Sequence, residues 1–322
     1  MLELLDTYSE QKIPFLFFID FDKTRPVVIP LNEVNKQEVL FDFKGFTNFE
    51  YPEDLKIADF SFEKSPISYR EYKNKFDQVQ HYLRQGDSYL VNLTYTTKIN
   101  TSLSLEDIFV YSKAPYKLLV KDKFVVFSPE PFVEIKDGVI SSFPMKGTIN
   151  TAIPNAEKVI LENEKELAEH STMVDLIRND LSIVATQVEL KRFRYISSIK
   201  TFNSELLQVS SEISGIVRKE LLDKIGTLLS FLLPAGSISG APKRKTVEII
   251  KEVEGYDRGY YTGVFGYFDG KNLQSAVMIR FIEKINDQLY FKSGGGITIY
   301  SEAQSEYQEL IDKVYVPINR VN

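Results

Sequence analysis

What most constrains the fold of this 322-residue chain is a succession of short alternating segments joined by turns too tight for anything but adjacent, oppositely directed strands. The clearest case is the pair 262–268 and 273–283, which flanks Asp269-Gly270-Lys271-Asn272 and is followed, after Asn286-Asp287, by 289–292. Residues 88–99, 116–120, 124–127, 131–135 and 206–217 also read as strands. Single helical patterns lie between these groups. Over 68–84 the positions Tyr69, Tyr72, Phe76, Val79 and Leu83 recur at helical intervals and stop at Gly86, a residue suited to a left-handed helix end. Similar patterns mark 155–167, 171–184, 220–229, 243–254 and 302–314. Helices inserted singly between strand groups predict an α+β domain built on large antiparallel sheets, not a doubly wound parallel one. Residues 1–65 show only short apolar strands such as 14–19 and 27–30, and no linker or short repeat divides the chain, so they read as a variable N-terminal portion of the same fold.

Acidic residues outnumber basic ones 45 to 39, for a formal charge of -6, and the basic residues are scattered, which argues against nucleic acid as a partner. No apolar run is long enough to cross a bilayer, and Met1-Leu2-Glu3-Leu4-Leu5-Asp6 lacks a basic flank, so a cytoplasmic protein without membrane contact is expected. Cysteine is absent, which removes disulfides, thiolate metal sites and cysteine nucleophiles. Only His81 and His170 are present, too few for a histidine-rich metal site and a poor basis for a Ser-His-Asp triad. His81 is expected to be structural or on the surface. His170 either supports the adjacent Glu169 or packs.

Two distant carboxylate pairs, Glu166 with Glu169 and Glu306 with Glu309, each share one helix face at i, i+3 spacing. Between them in sequence lies Pro144-Met145-Lys146-Gly147-Thr148, with a lone lysine in a strand-to-turn segment. The second pair follows Gly294-Gly295-Gly296, where consecutive glycines let backbone N–H groups approach an anion closely. If these segments meet, four oxygen-rich side chains suit Mg²⁺, which retains waters that a substrate carboxylate can replace. Taken singly, each feature also fits a plainer role: a solvated helix face, a solvent-facing lysine, a tight turn. The loop Gly236-Ser237-Ile238-Ser239-Gly240-Ala241-Pro242-Lys243 lacks the Gly-Lys-Ser/Thr ending of a phosphate loop and the central serine of a hydrolase elbow.

The ordered blocks are Ser128-Pro129-Glu130, Pro144 to Thr148, Glu169-His170-Ser171-Thr172-Met173-Val174-Asp175-Leu176-Ile177-Arg178-Asn179-Asp180-Leu181, Pro234 to Lys243, Arg258-Gly259-Tyr260-Tyr261-Thr262-Gly263, and the glycine triplet with Glu306 to Glu309. Together, over about 66–315, they resemble the chorismate-utilising enzymes, and within them the aminodeoxychorismate synthase component I branch. The resemblance implies large antiparallel sheets packed face to face with helices outside, a four-layer α/β/β/α fold like that of anthranilate synthase component I, with 66–322 as the chorismate-binding catalytic domain. It also implies a transferase chemistry. Lysine in the Pro-x-Lys-Gly-Thr block marks the branch that aminates C4, where anthranilate synthases usually carry alanine. A partly desolvated Lys146 is expected to be neutral enough to add at C2 while the C4 hydroxyl departs. Glu130 is placed by resemblance to donate the proton. Ammonia then attacks C4 and expels the lysine, giving 4-amino-4-deoxychorismate, the precursor of 4-aminobenzoate and folate. Mg²⁺ falls to Glu169 and Glu306, with Glu166 and Glu309 as direct or water-mediated neighbours. The enolpyruvyl carboxylate falls to Arg280, Tyr261, Gly294, Gly295 and Gly296, with Ser237 and Lys243 lining the same pocket.

Two positions depart from the family pattern. Gln208 stands where many relatives carry a histidine, so it cannot supply a proton near neutral pH, and Leu90 replaces a usual polar residue. Because a class I glutamine amidotransferase needs a cysteine that this chain lacks, ammonia is expected from a separate glutamine amidotransferase subunit, with ammonium salts able to substitute. The alternatives are anthranilate synthase component I, which aminates C2, and a noncatalytic chorismate-binding relative, motivated by the two departures.

Overall fold

Every residue of the strand Phe15–Ile19 is buried, a pattern shown only by a strand covered on both faces. The computed structural model, which describes residues 2–53, 57, 59–200 and 205–318, shows what covers it. Phe15, Phe17 and Ile19 cluster with Leu5 of the helix Leu2–Glu10 and with Ile225, Leu228 and Leu232 of the helix Ile225–Leu232. Leu16 and Phe18 face the other way, onto Val39, Phe41, Leu118 and Val126 of a second sheet. That sheet's outer face, including Ile99, Leu119, Val125 and Phe291, is covered by Leu105, Ile108 and Phe109 of the helix Leu105–Tyr111. Helix, sheet, sheet and helix thus form four layers, as the resemblance implies, with apolar cores in between.

Among the described residues each sheet has nine strands, and all neighbouring strands run antiparallel. The first sheet runs Met145–Asn150, Glu205–Val217, Val139–Ser142, Pro131–Lys136, Leu273–Val277, Val264–Phe268, Phe15–Ile19, Val27–Pro30, with Ala185–Lys200 paired along Glu205–Val217. The second runs Gly240–Ala241, Leu90–Thr101, Gln288–Ile297, Phe281–Ile285, Phe124–Ser128, Tyr116–Val120, Val39–Phe43, Phe46–Thr47, with Phe62–Ser65 on Leu90–Thr101. Strands from residues 1–65 therefore enter both sheets.

Several local expectations hold closely. The helix Tyr69–Gln85 is capped by Ser68 and ends at Gly86, whose φ of 79° is the left-handed conformation that glycine adopts without strain. The helix Lys243–Glu254 spans the residues read from its periodicity.

Other expectations are corrected. The single strand expected over 273–283 is two strands in different sheets, because Met278, Ile279 and Arg280 carry the chain across from the first sheet to the second. The helices expected at 155–167 and 171–184 are Ala156–Glu162 and Glu164–Val184. Asn163 separates them and accepts a hydrogen bond from the Glu166 N–H, so Glu166 and Glu169 ride on the first turns of the longer helix. The glycine triplet is neither turn nor loop but part of the strand Gln288–Ile297. The helix Leu2–Glu10 and the strand Ala185–Lys200 were not anticipated. The strand breaks register three times and is largely exposed at 189–193, so it shows little alternation. No helix among the described residues is long and apolar enough to cross a membrane.

Candidate functional site

Lys146 owes its placement to a bulge. The strand Met145–Asn150 pairs with Glu205–Val217 through Met145↔Ser210 and Thr148↔Gln208, and the register shifts between these pairs. Lys146 and Gly147 fall in the shift, and Gly147 adopts a φ of 83°. The Lys146 ammonium lies 2.6 Å from Glu169 Oε2. A Cβ on Gly147 would stand 3.0 Å from Glu166 Oε2, which shows how closely the strand passes the helix bearing both acids. Burial works to lower the Lys146 pKa, but Glu169, with Glu166 and Glu309 nearby, outweighs it, and the net shift is upward. The neutral lysine expected from desolvation alone is thus replaced by a paired ammonium.

The strand Gln288–Ile297 supplies the opposite wall. Its pairing with Phe281–Ile285 stops at Lys292, while Gly294, Gly295 and Gly296 continue along Leu90–Thr101, opposite Thr94, Leu93 and Asn92. The Gly294 carbonyl accepts from Lys313 Nζ at 2.9 Å, so that carbonyl points away from Leu90–Thr101. A residue's N–H and C=O share one side of an extended strand, so the Gly294 N–H points the same way. A Cβ on Gly295 would lie 3.5 Å from Glu306 Oε2, 3.8 Å from Lys313 Nζ and 4.0 Å from Glu309 Oε1; one on Gly296 would lie 3.8 Å from Lys146 Nζ. The strand thus lies between the second carboxylate pair and the lysine. Lys313, which also pairs with Glu309 at 2.6 Å, was missed by sequence reasoning, although its spacing from Glu309 and Glu306 puts all three on one helical face.

Glu130 accepts a 2.5 Å hydrogen bond from Ser237 Oγ, joining two residues expected at the site. Burial raises the Glu130 pKa against the opposing influence of Ser237, Lys313 and Arg280. The direction of this shift is the one that a general acid needs. Glu130 and Ser237 line a narrow pocket with Ser142, Pro144, Ile177 and Asp180. Arg280 has a left-handed φ of 53°, its guanidinium over the Tyr315 ring and donating to the Lys313 carbonyl. Tyr261 is 3% exposed and packs on Phe281, within the core between the sheets. Lys243 is held at 2.7 Å by Asp180 and at 2.8 Å by the Leu232 carbonyl, so contact with a substrate would require breaking that pair.

The remaining residues fall into place around this core. Gln208 sits in register opposite Thr148, one strand from Lys146, and the Leu90 side chain packs on Gly296, within 3.0 Å of its Cβ direction. His170 bonds Ser211 Oγ at 2.6 Å through Nε2, and burial, with Arg194 and Lys146 nearby, pushes its pKa down to about 4. It is therefore a neutral tie between helix and strand. His81 is on the surface. The acids are hard oxygen donors without thiolate or imidazole, the set that Mg²⁺ favours, although no three acidic or histidine side chains among the described residues are already drawn together to hold a metal.

Comparisons with known proteins bear on the family and the fold. A family model described as chorismate binding enzyme matches residues 35–319. The chain is 52% identical over 318 residues to a protein of Haemophilus influenzae named "Uncharacterized PabA-like protein", covering 98% of this chain and 96% of that one. It is 30% identical to aminodeoxychorismate synthase component 1 of Escherichia coli (strain K12), covering 92% of this chain and 66% of the relative. Among solved structures, anthranilate synthase component I from Streptococcus pneumoniae TIGR4 superposes with a TM-score of 0.67 at 27% identity, covering 81% of this chain and 60% of that one. This chain belongs to the family of chorismate-binding enzymes.

Proposed function

We propose that the chain aminates chorismate at C4, giving 4-amino-4-deoxychorismate for 4-aminobenzoate and folate synthesis. The observation that carries this reading is Lys146, between the acidic helix and the glycine strand with its ammonium on Glu169, at a position where the resemblance implies alanine in anthranilate synthases. In this mechanism Lys146, whose side chain is 26% exposed, releases its proton to water, and the freed amine adds at C2. The ring double bond shifts as the C4–O bond breaks, and Glu130 gives its proton to the departing hydroxide, which leaves as water. Ammonia forms the new bond at C4 and gives up the proton that restores Glu130, while the double bond returns and the lysine is expelled as the amine. Arg280 and the outward N–H of Gly294 would bind a substrate carboxylate, with Tyr261 as a packed neighbour.

Glu166, Glu169, Glu306 and Glu309 would hold Mg²⁺, whose charge would orient and polarise a chorismate carboxylate when bound. Because the chain has no cysteine, ammonia would come from a separate glutamine amidotransferase subunit. The similarity to anthranilate synthase component I keeps amination at C2 as the second reading. Incubation of the purified chain with chorismate, Mg²⁺ and ammonium, with separation of 4-amino from 2-amino products, tests both. A 4-amino product supports the first, a 2-amino product the second, and the absence of any turnover rejects both.

A further inference from the structure

We propose that the buried Glu254–Arg258 pair is a positioning device for the site, holding the serine loop, the glycine strand and the turn before Arg280 in one register. The inference rests on the reading of the site given above, and neither residue touches substrate in it. Both side chains are almost fully enclosed, at 1% and 2% exposure. They meet in a two-pronged contact, Arg258 Nε to Glu254 Oε2 at 2.8 Å and Nη2 to Oε1 at 2.6 Å. The Phe21 ring lies 4.6 Å from the guanidinium carbon. Burying such a pair is expensive, and fold stability alone is served as well by apolar residues.

Where the remaining hydrogen bonds go gives the pair its role. Arg258 Nη1 donates to the Ile238 carbonyl at 2.9 Å, next to Ser237. Nη2 donates to the Asn92 carbonyl at 2.6 Å, and Asn92 is the register partner of Gly296. Glu254 Oε1 accepts from both the backbone N–H and the hydroxyl of Thr94 at 2.8 Å, and Thr94 is the partner of Gly294. The third segment is the turn at Thr262, a β-branched residue held at a φ of 62°, a conformation such residues rarely adopt. Its hydroxyl receives Arg258 Nη1 at 3.3 Å, and its N–H donates to the Met278 carbonyl at 2.8 Å, at the start of the crossover that presents Arg280. Lys292 Nζ ties the Arg258 carbonyl to the strand just before the glycines at 2.9 Å. One ion pair therefore ties together the loop of Ser237, the strand that pairs with Gly294 to Gly296, and the turn that leads to Tyr261 and Arg280.

The test uses Arg258→Lys, which keeps the charge but not the fork, and Glu254→Gln, which keeps the shape but not the charge. Both are measured for chorismate turnover with Mg²⁺ and ammonium, and for amide hydrogen exchange. We expect the chorismate KM to rise about tenfold with kcat changed far less. Exchange should quicken at 236–240, 258–263 and 293–297, while the strand Tyr116–Val120 stays at its wild-type rate. Unchanged KM with unchanged exchange, or exchange that quickens equally everywhere, overturns the proposal. Should wild-type protein not turn over chorismate, the functional reading fails and the exchange pattern alone decides. Should both charge variants fail to fold, Thr94→Val removes one hydroxyl and leaves the pair in place; faster exchange confined to 293–297 supports the positioning role, and no change rejects it.

Discussion

Lys146 Nζ stands 2.6 Å from Glu169 Oε2, with side-chain exposures of only 26% and 12%. The carboxylate is thus the lysine's charge partner. A lysine that adds to carbon must first lose a proton and leave this partner. Intact-protein mass spectrometry of the wild type with chorismate and Mg²⁺ should find a substrate-derived mass on Lys146. Lys146→Ala should show no adduct and lose 4-amino product by more than about a hundredfold. Undiminished 4-amination by that variant would remove the lysine from the mechanism.

Adjacent glycines should answer differently to a methyl group. At Gly294 an added Cβ meets Thr94 Cγ2 at 2.6 Å and the Leu93 carbonyl at 2.7 Å, so the strand itself has to move. Gly294→Ala should cost about 1–3 kcal/mol of stability. At Gly295 the nearest atoms are those of Glu306, Lys313 and Glu309 at 3.5–4.0 Å, ordinary contact distances. Gly295→Ala should fold within about 0.5 kcal/mol of wild type, yet lose most activity because the methyl takes ligand space. Urea unfolding and turnover measured side by side test the distinction, and equal loss of stability in the two variants would contradict it.

How much of this could be read from the chain depends on whether the signal is local. Gly86 and the stripe from Tyr72 to Leu83 depend on one helix's own period, and they gave its limits closely. The alternation over 273–283 could not reveal that the chain changes sheets at Met278 to Arg280, because apolar residues face a core on either side of that crossing. The acid pairs and Lys146 could be named from spacing and resemblance. The charge state of Lys146 could not, since burial and Glu169 push it in opposite directions and only their separation decides the sign. Lys313 was readable in principle, four residues after Glu309 on the same face. The Glu254–Arg258 hub was not, because its partners Asn92, Thr94 and Ile238 lie far away in sequence.

Lys243 provides a check on whether a residue at a family position contacts substrate or supports the fold. It is paired with Asp180 at 2.7 Å, and burial disfavours the charge on each. Removing one partner strands the other, so Lys243→Met should destabilise by about 3 kcal/mol. The double variant Lys243→Met with Asp180→Leu should recover most of that loss. If Lys243 serves the fold, the double variant keeps the chorismate KM of the wild type. A KM that rises tenfold despite recovered stability assigns the lysine to the substrate.

Lys117 should give the protein a measurable alkaline gain in stability. The side chain is buried, with Nζ donating to the carbonyls of Phe109 at 2.9 Å and Ser112 at 3.3 Å and lying 4.4 Å from the Tyr51 ring centre. Burial pushes its pKa down from 10.5 to about 8, against the opposing charge of Asp42. Below about pH 8 the lysine is protonated in both folded and unfolded chains, and the folded state bears the full cost of enclosing the charge. Between about 8 and 10.5 the unfolded chain holds the proton and the folded one does not, so stability rises with pH. The gain should reach about 2 kcal/mol by pH ~9.5. Lys117→Met lacks the titration, so subtracting its denaturant-derived stabilities from those of the wild type at pH ~7 and ~9.5 isolates the effect from other ionisations. A difference that does not change between the two pH values would mean that the carbonyls and the ring hold the ammonium charged despite its burial.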